Sequence, residues 1–188
     1  MDEVLRSIYY NPEHPASYGG AGRLSRAARL PLKKVQEWLR SQPTYTLHKP
    51  ARRRFKTRKY YTSGIDHQWQ ADLVDMQQES KHNDGFKYIL TVIDLFSRYA
   101  WAEPIKSKSP QHVKPAFETI FASGRKPFKI QTDEGLEFES KGMQDFFKSH
   151  HIHQFSVKSQ FKDALVERFN RTLKDKMWRY FTHNATHK

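Results

Sequence analysis

From Gln68 onward the chain takes on the alternation of β-strands. Three apolar-rich runs, QWQADLVDM, FKYILTVIDLFS and YAWAEPI, follow one another with only the polar breaks KHNDG and SR between them. Links this short predict an antiparallel meander, because a parallel return needs a long crossover. Helical and strand-like stretches then alternate: a helix around HVKPAFETIFAS, a strand FKIQTD, a helix around KGMQDFFKSH, a strand HIHQFSV and a long final helix around DALVERFNRTLKDKMWRYFT. The order β-β-β-α-β-α-β-α predicts an α/β fold. Its mixed five-stranded sheet would have three antiparallel strands, then helix-linked parallel ones, with helices on its faces. In sheets of this kind, sites form at the carboxyl ends of strands.

Ahead of the sheet, GRLSRAAR and LPLKKVQEWLRSQ have helical spacing, with Pro31 between them. Two short helices carrying Arg23, Arg26, Arg29, Lys33 and Lys34 fit a helix-turn-helix reader of DNA, and fit a plain helical hairpin as well. The net charge of +13 is unevenly spread: residues 1–48 carry 7 basic and 4 acidic side chains, residues 49–61 carry 7 and none, and residues 62–188 carry 19 and 16. The segment KPARRRFKTRKYY therefore holds more than half of the net charge, in Lys49, Arg52, Arg53, Arg54, Lys56, Arg58 and Lys59. Self-repulsion and the scarcity of apolar positions predict an extended linker, suited to tracking phosphates or to nuclear localisation. A solvated charge run is the alternative. The expected division is a helical module at 1–48, a basic linker at 49–65 and a core at 66–188. No apolar run long enough to span a membrane occurs, and the N-terminus lacks the pattern of a signal peptide, so an intracellular protein is expected. The absence of cysteine excludes disulfides and thiolate metal sites.

Three carboxylates stand out. Asp72 lies within a strand whose neighbours are apolar, where a charge is expensive unless paired or metal-bound. Asp133 falls where FKIQT runs into EGLEF, at a strand's carboxyl end, and Glu167 falls early in the last helix. Oxygen donors of this type suit Mg²⁺, and two such ions can activate an attacking hydroxyl while stabilising the leaving oxygen of a phosphodiester. Each residue also has a plain structural use, as turn former or helix-dipole partner, and Asp75, Asp94, Glu134, Glu137 and Asp163 are competing carboxylates. On the last helix, Val166, Phe169, Leu173, Met177 and Tyr180 form an apolar stripe, whereas Glu167, Asn170, Arg171, Lys174 and Trp178 share another face. One face is expected in the core. The other is free to grip phosphates beside Glu167.

Taken together, WQADLVDM, YILTVIDLFSRYAWAEPI, TDEGLEF and VERFNRTLK resemble the catalytic core of retroviral-type integrases and their transposase relatives, across residues 66–182. YYNPEHPASYGG, VQEWLRSQPTYTLHKPARRRFK and MWRYFT resemble, more narrowly, integrases of the Polinton, or Maverick, transposons. The resemblance implies a ribonuclease H-like fold. It also implies an acidic triad of Asp72, Asp133 and Glu167, in the contexts W-x-x-D, T-D-x-G and E-R-x-N, with Asn170 and Lys174 near the donor DNA end. It further implies two Mg²⁺ or Mn²⁺ ions, trimming of 3′ ends followed by their joining to target DNA, a homo-oligomer acting on DNA, and a nuclear location. Many relatives carry an N-terminal zinc module of two His and two Cys; without cysteine, no zinc is expected here. Asp133 and Glu167 are 34 positions apart, closer than usual, and a chain stopping at Lys188 is expected to be a C-terminally truncated core. The alternatives are a catalytically silent DNA-binding protein and a metal-dependent nuclease of the same fold.

Overall fold

Proline and glycine punctuate the N-terminal region of the computed structural model, which describes residues 1–49, 61–156 and 164–186. Four helices form there: α1 (Asp2–Tyr9), α2 (Ala21–Ala28), α3 (Leu32–Arg40) and α4 (Pro43–Leu47). Gly20 opens α2, Arg29 in the left-handed region closes it, Pro31 precedes α3, and Pro43 occupies the first turn of α4, where its missing N–H costs nothing. Leu5, Tyr9, Leu24, Val35 and Leu39 are fully buried together, and the Tyr9 ring meets Tyr18 and Trp38 edge-on at 5.5 and 5.6 Å. Sequence periodicity predicted α2 and α3. It did not reveal α1 or α4.

The strands are β1 (Gln68–Asp75), β2 (Tyr88–Asp94), β3 (Ala100–Ile105), β4 (Lys129–Thr132) and β5 (His153–Ser156), in the order β3-β2-β1-β4-β5. β1–β2 and β2–β3 pair antiparallel; β1–β4 and β4–β5 pair parallel, as the element order predicted. The helices are α5 (Pro110–Phe121), the short α6 (Leu136–Glu139), α7 (Lys141–Ser149) and α8 (Ala164–Asn184). Trp69 and Ala71 of β1, Leu90 and Val92 of β2 and Ile130 of β4 bury one sheet face against Val113, Phe117 and Ile120 of α5 and Phe147 of α7. Each such large side chain contributes about 1.5–3 kcal/mol by leaving water. Trp69 also stacks on Trp101 at 4.3 Å and donates its indole N–H to Asp66 at 3.0 Å.

The chain divides into two compact units, Met1–Lys56 with Thr172–Lys188, and Thr57–Arg171. Residues 172–188, expected in the core, thus group with the N-terminal helices. The apolar stripe of α8 divides accordingly. Val166 is fully buried in the sheet unit, whereas Tyr180 packs against the cluster of α1–α3. The buried residue in the second half of α8 is Arg179, which sequence periodicity had not singled out. Its guanidinium donates to the Tyr18 carbonyl at 2.7 Å and pairs with Asp175 at 3.0 Å, bonds that hydropathy cannot reveal. Among the described residues, no helix is long and apolar enough to cross a membrane.

Candidate active site

Hydrogen-bond register places the first two carboxylates. β1 pairs with β4 through Gln68, Trp69 and Gln70, and Gln70 faces Gln131, an offset of 61 positions. Asp133 lies the same 61 positions beyond Asp72, so each aspartate follows the last rung of this ladder by two residues. Side chains alternate, so Gln68, Gln70 and Asp72 share the sheet face opposite Trp69 and Ala71. Gln131 lies on that same face of β4, and Asp133 follows just after the strand's end. Gln68 and Gln70 both donate to Gln131 Oε1, at 3.2 and 3.3 Å, which ties the two strands together just before the aspartates. β4 ends at Thr132, and the Asp133 carboxylate accepts the Gly135 N–H at 3.2 Å.

The first half of α8 covers this polar face. Gln70, fully buried, accepts the Val166 N–H through Oε1 at 3.3 Å, so a strand side chain takes up one of the first-turn amides that a helix cannot satisfy itself. One turn on, Asn170 Nδ2 donates to Asp72 Oδ2 at 2.7 Å, and Asp72 Oδ1 accepts the N–H of Leu73 at 2.7 Å. Glu167, between these two anchors, is exposed in the first turn. Burial pushes the Asp72 carboxyl above the ordinary carboxylate range; the Leu73 N–H opposes this, Asp133 and Glu167 push it further up, and Lys108 pulls it down. Asp133 and Glu167 are therefore each within electrostatic reach of Asp72. Among the described residues, however, no three His, Asp or Glu side chains converge closely enough to hold a metal ion.

A cation would nevertheless suit this corner. The carboxylates are hard oxygen donors, and Asn170 Oδ1 beside them is a buried acceptor with no hydrogen-bond partner. Of the other DNA-contact candidates, Arg171 is exposed at the end of the sheet unit, and Lys174 belongs to the helical unit. Arg52, Arg53, Arg54, Lys56, Arg58 and Lys59 lie outside the described residues. Sequence reasoning missed Gln70, Gln131 and Lys108, because their roles come from strand register and tertiary packing. The glutamines at alternate positions 68 and 70, polar where a central strand should be apolar, were a signal. Two competing carboxylates have structural duties: Asp75 accepts from the backbone and side chain of Gln77, and Asp94 holds the turn after β2. A cavity of about 630 Å³ between α7 and β5 contains none of the three carboxylates.

Residues 64–158, about half of the chain, match the family described as integrase core domain. The chain belongs to this integrase core family. Its matched segment contains Asp72 and Asp133 and ends before Glu167. A transposon-derived protein of Caenorhabditis elegans is 37% identical over 108 residues, 57% of this chain and 38% of that protein. The match thus spans less than half of that relative's length. The HTLV-2 integrase catalytic core domain, solved in complex with magnesium in a trimeric form, is similar with a TM-score of 0.53 and 26% identity. That likeness covers 63% of this chain and 73% of the viral one. A chain of the simian T-cell lymphotropic virus intasome, solved with PP2A regulatory subunit B56 gamma, matches 98% of this chain and 63% of its own length. Its TM-score of 0.60 at 20% identity is a likeness of fold alone. The five-stranded sheet is thus the ribonuclease H-like sheet of integrases.

Proposed function

We propose that the protein is a transposon integrase that trims the 3′ ends of its element and joins them to target DNA. The observation that supports this is that Asp72 and Asp133 each follow the last rung of the parallel β1–β4 ladder by two residues, with Asn170 of α8 bonded to Asp72 and Glu167 within electrostatic reach of it. Asp72, Asp133 and Glu167 would hold Mg²⁺ or Mn²⁺. When bound, the ions supply positive charge to the attacking and leaving oxygens of an in-line displacement at phosphorus. The magnesium in the HTLV-2 core supports a divalent cation here.

The chain's own residues set the geometry. Leu73 N–H and Asn170 fix both oxygens of Asp72, Gln70 fixes the first turn of α8, and Arg171, Lys174 and the basic segment at residues 49–59 grip the DNA backbone. In trimming, a water oxygen bonds to phosphorus as the bond to the 3′-oxygen breaks, and that oxygen leaves with a proton as the free 3′-hydroxyl. In joining, this hydroxyl attacks a target phosphodiester and displaces the target's own 3′-oxygen. No covalent protein intermediate is required. We assign the element to the Maverick class on the N-terminal motifs, and the site of action to the nucleus. The dimeric and trimeric forms of the HTLV-2 core support a homo-oligomer of at least two copies.

A strand-transfer assay with labelled element ends and Mg²⁺ tests the reading. Wild type is expected to yield joined product and Asp133→Asn none. Equal inactivity on intact element ends would leave a DNA-binding protein without catalysis, and hydrolysis without joining would leave a nuclease.

A further inference from the structure

The helical unit contains a cavity that the catalytic scheme does not use. It has a volume of about 370 Å³ and opens beside the start of α2. Tyr18, Gly19, Gly20 and Tyr45 are among the residues that line it. Arg23, Lys49, Lys176 and Arg179 share the lining with a single carboxylate, Asp175, so four cations face one anion.

Three independent features distinguish this from a solvated basic surface. Arg179 is only 4% exposed, and although its terminal nitrogens reach the Tyr18 carbonyl and Asp175, its buried Nε–H has no acceptor. A buried donor left without a partner costs free energy that a ligand oxygen would recover. Lys176 is half-buried against two other cations: burial first, then Arg23 and Arg179, hold its ammonium below the ordinary lysine range. Finally, α2 begins at Gly20 with no side-chain cap, leaving first-turn amides that intrahelical carbonyls cannot satisfy. Asp175 pairs with Arg179 and also pulls on Lys176, so one carboxylate faces four cations in the lining.

We propose that this cavity seats a phosphate oxyanion, supplied by a backbone phosphodiester of DNA. Helix N-termini and guanidinium forks both favour phosphate oxygens. The choice of DNA as the source rests on the function proposed above; the anion seat does not.

The test uses the full chain with Arg23→Gln and Lys176→Gln made separately. Arg179 is left intact because its carbonyl bond holds the unit together. A third variant, Gly20→Ala, places a methyl in open space at a φ of −76° that alanine adopts freely. Circular dichroism checks folding. Inorganic phosphate is expected to raise the melting temperature of the wild type beyond chloride at equal ionic strength. The rise should vanish in both charge variants and shrink in Gly20→Ala. Each charge variant is expected to bind duplex DNA roughly tenfold more weakly, with the slope of log affinity against log salt reduced by about one. Folded variants that match wild type in both assays overturn the seat, as does a wild type indifferent to phosphate. A phosphate effect with unchanged DNA affinity and slope overturns DNA as the source and leaves a small phosphorylated ligand. If both binding assays behave as expected but strand transfer is absent, the seat stands and the catalytic reading falls.

Discussion

Asp72 and Asp94 lie on neighbouring central strands, and burial pushes both carboxyls the same way; their partners decide the outcome. At Asp94 the push is outweighed by the Ser97 hydroxyl, the N–H groups of Phe96 and Ser97, and Arg125 at 2.9 Å, so its carboxyl lies below the usual range. A depressed carboxylate stabilises the fold above its unfolded pKa of about 3.9, and loses that contribution as pH falls through the lower folded value. Asp94→Asn is therefore expected to cost about 2 kcal/mol at neutral pH. In urea unfolding, the gap to wild type should narrow below about pH 4. Asp72 has the opposite sign: two nearby carboxylates add to burial, so its penalty is absent at low pH and complete above its raised folded value. Asp72→Asn should abolish strand transfer while leaving the melting temperature at pH 7 unchanged or raised by roughly 1–3 °C. The Asn170 amide, with one unused oxygen, can turn to accept from the new side chain. A marked loss of stability at pH 7 would refute this account of Asp72.

At the scale of elements, α8 acts through its first turn. Gln70→Ala leaves the Val166 N–H without its acceptor and is expected to cost about 1 kcal/mol. If Gln70 positions Glu167, joining should slow severalfold with DNA affinity unchanged; a parallel loss of both would mean that the effect is structural. The five strands were legible because alternation and short polar breaks are local signals, and Asp72 and Asp133 were found through their strand contexts. The register of β1 against β4 was not legible, since it belongs to hydrogen bonds between segments 61 residues apart. α1 escaped notice because only Leu5 and Tyr9 are buried among its eight residues, and α6 is a single four-residue turn. Of the apolar stripe expected on the second half of α8, Tyr180 joins a core cluster. What periodicity could not show was that Tyr180 packs against residues near the N-terminus and that Arg179 is buried there.

For the whole molecule, the net charge of +13, with seven cations in residues 49–61, makes association with DNA a matter of counterion release. Affinity for nonspecific duplex is expected to fall by about a thousandfold or more between 50 and 200 mM salt. Replacing Arg52, Arg53, Arg54, Lys56, Arg58 and Lys59 by serine should flatten that dependence, as titrations at several salt concentrations would show. The parallel β1–β4 ladder also determines where the chain tolerates changes in length. A residue inserted in the turn at Lys81–Gly85, between β1 and β2, leaves the ladder untouched. One inserted or deleted within Lys129–Thr132 slips every later side chain to the other face and brings Thr132 or Glu134 to the level where Asp133 now stands. An insertion scan scored for joining should therefore be permissive in the turns and unforgiving over the four residues of β4. Among relatives, the distance from the last ladder rung to each aspartate should hold constant while the loops between them drift.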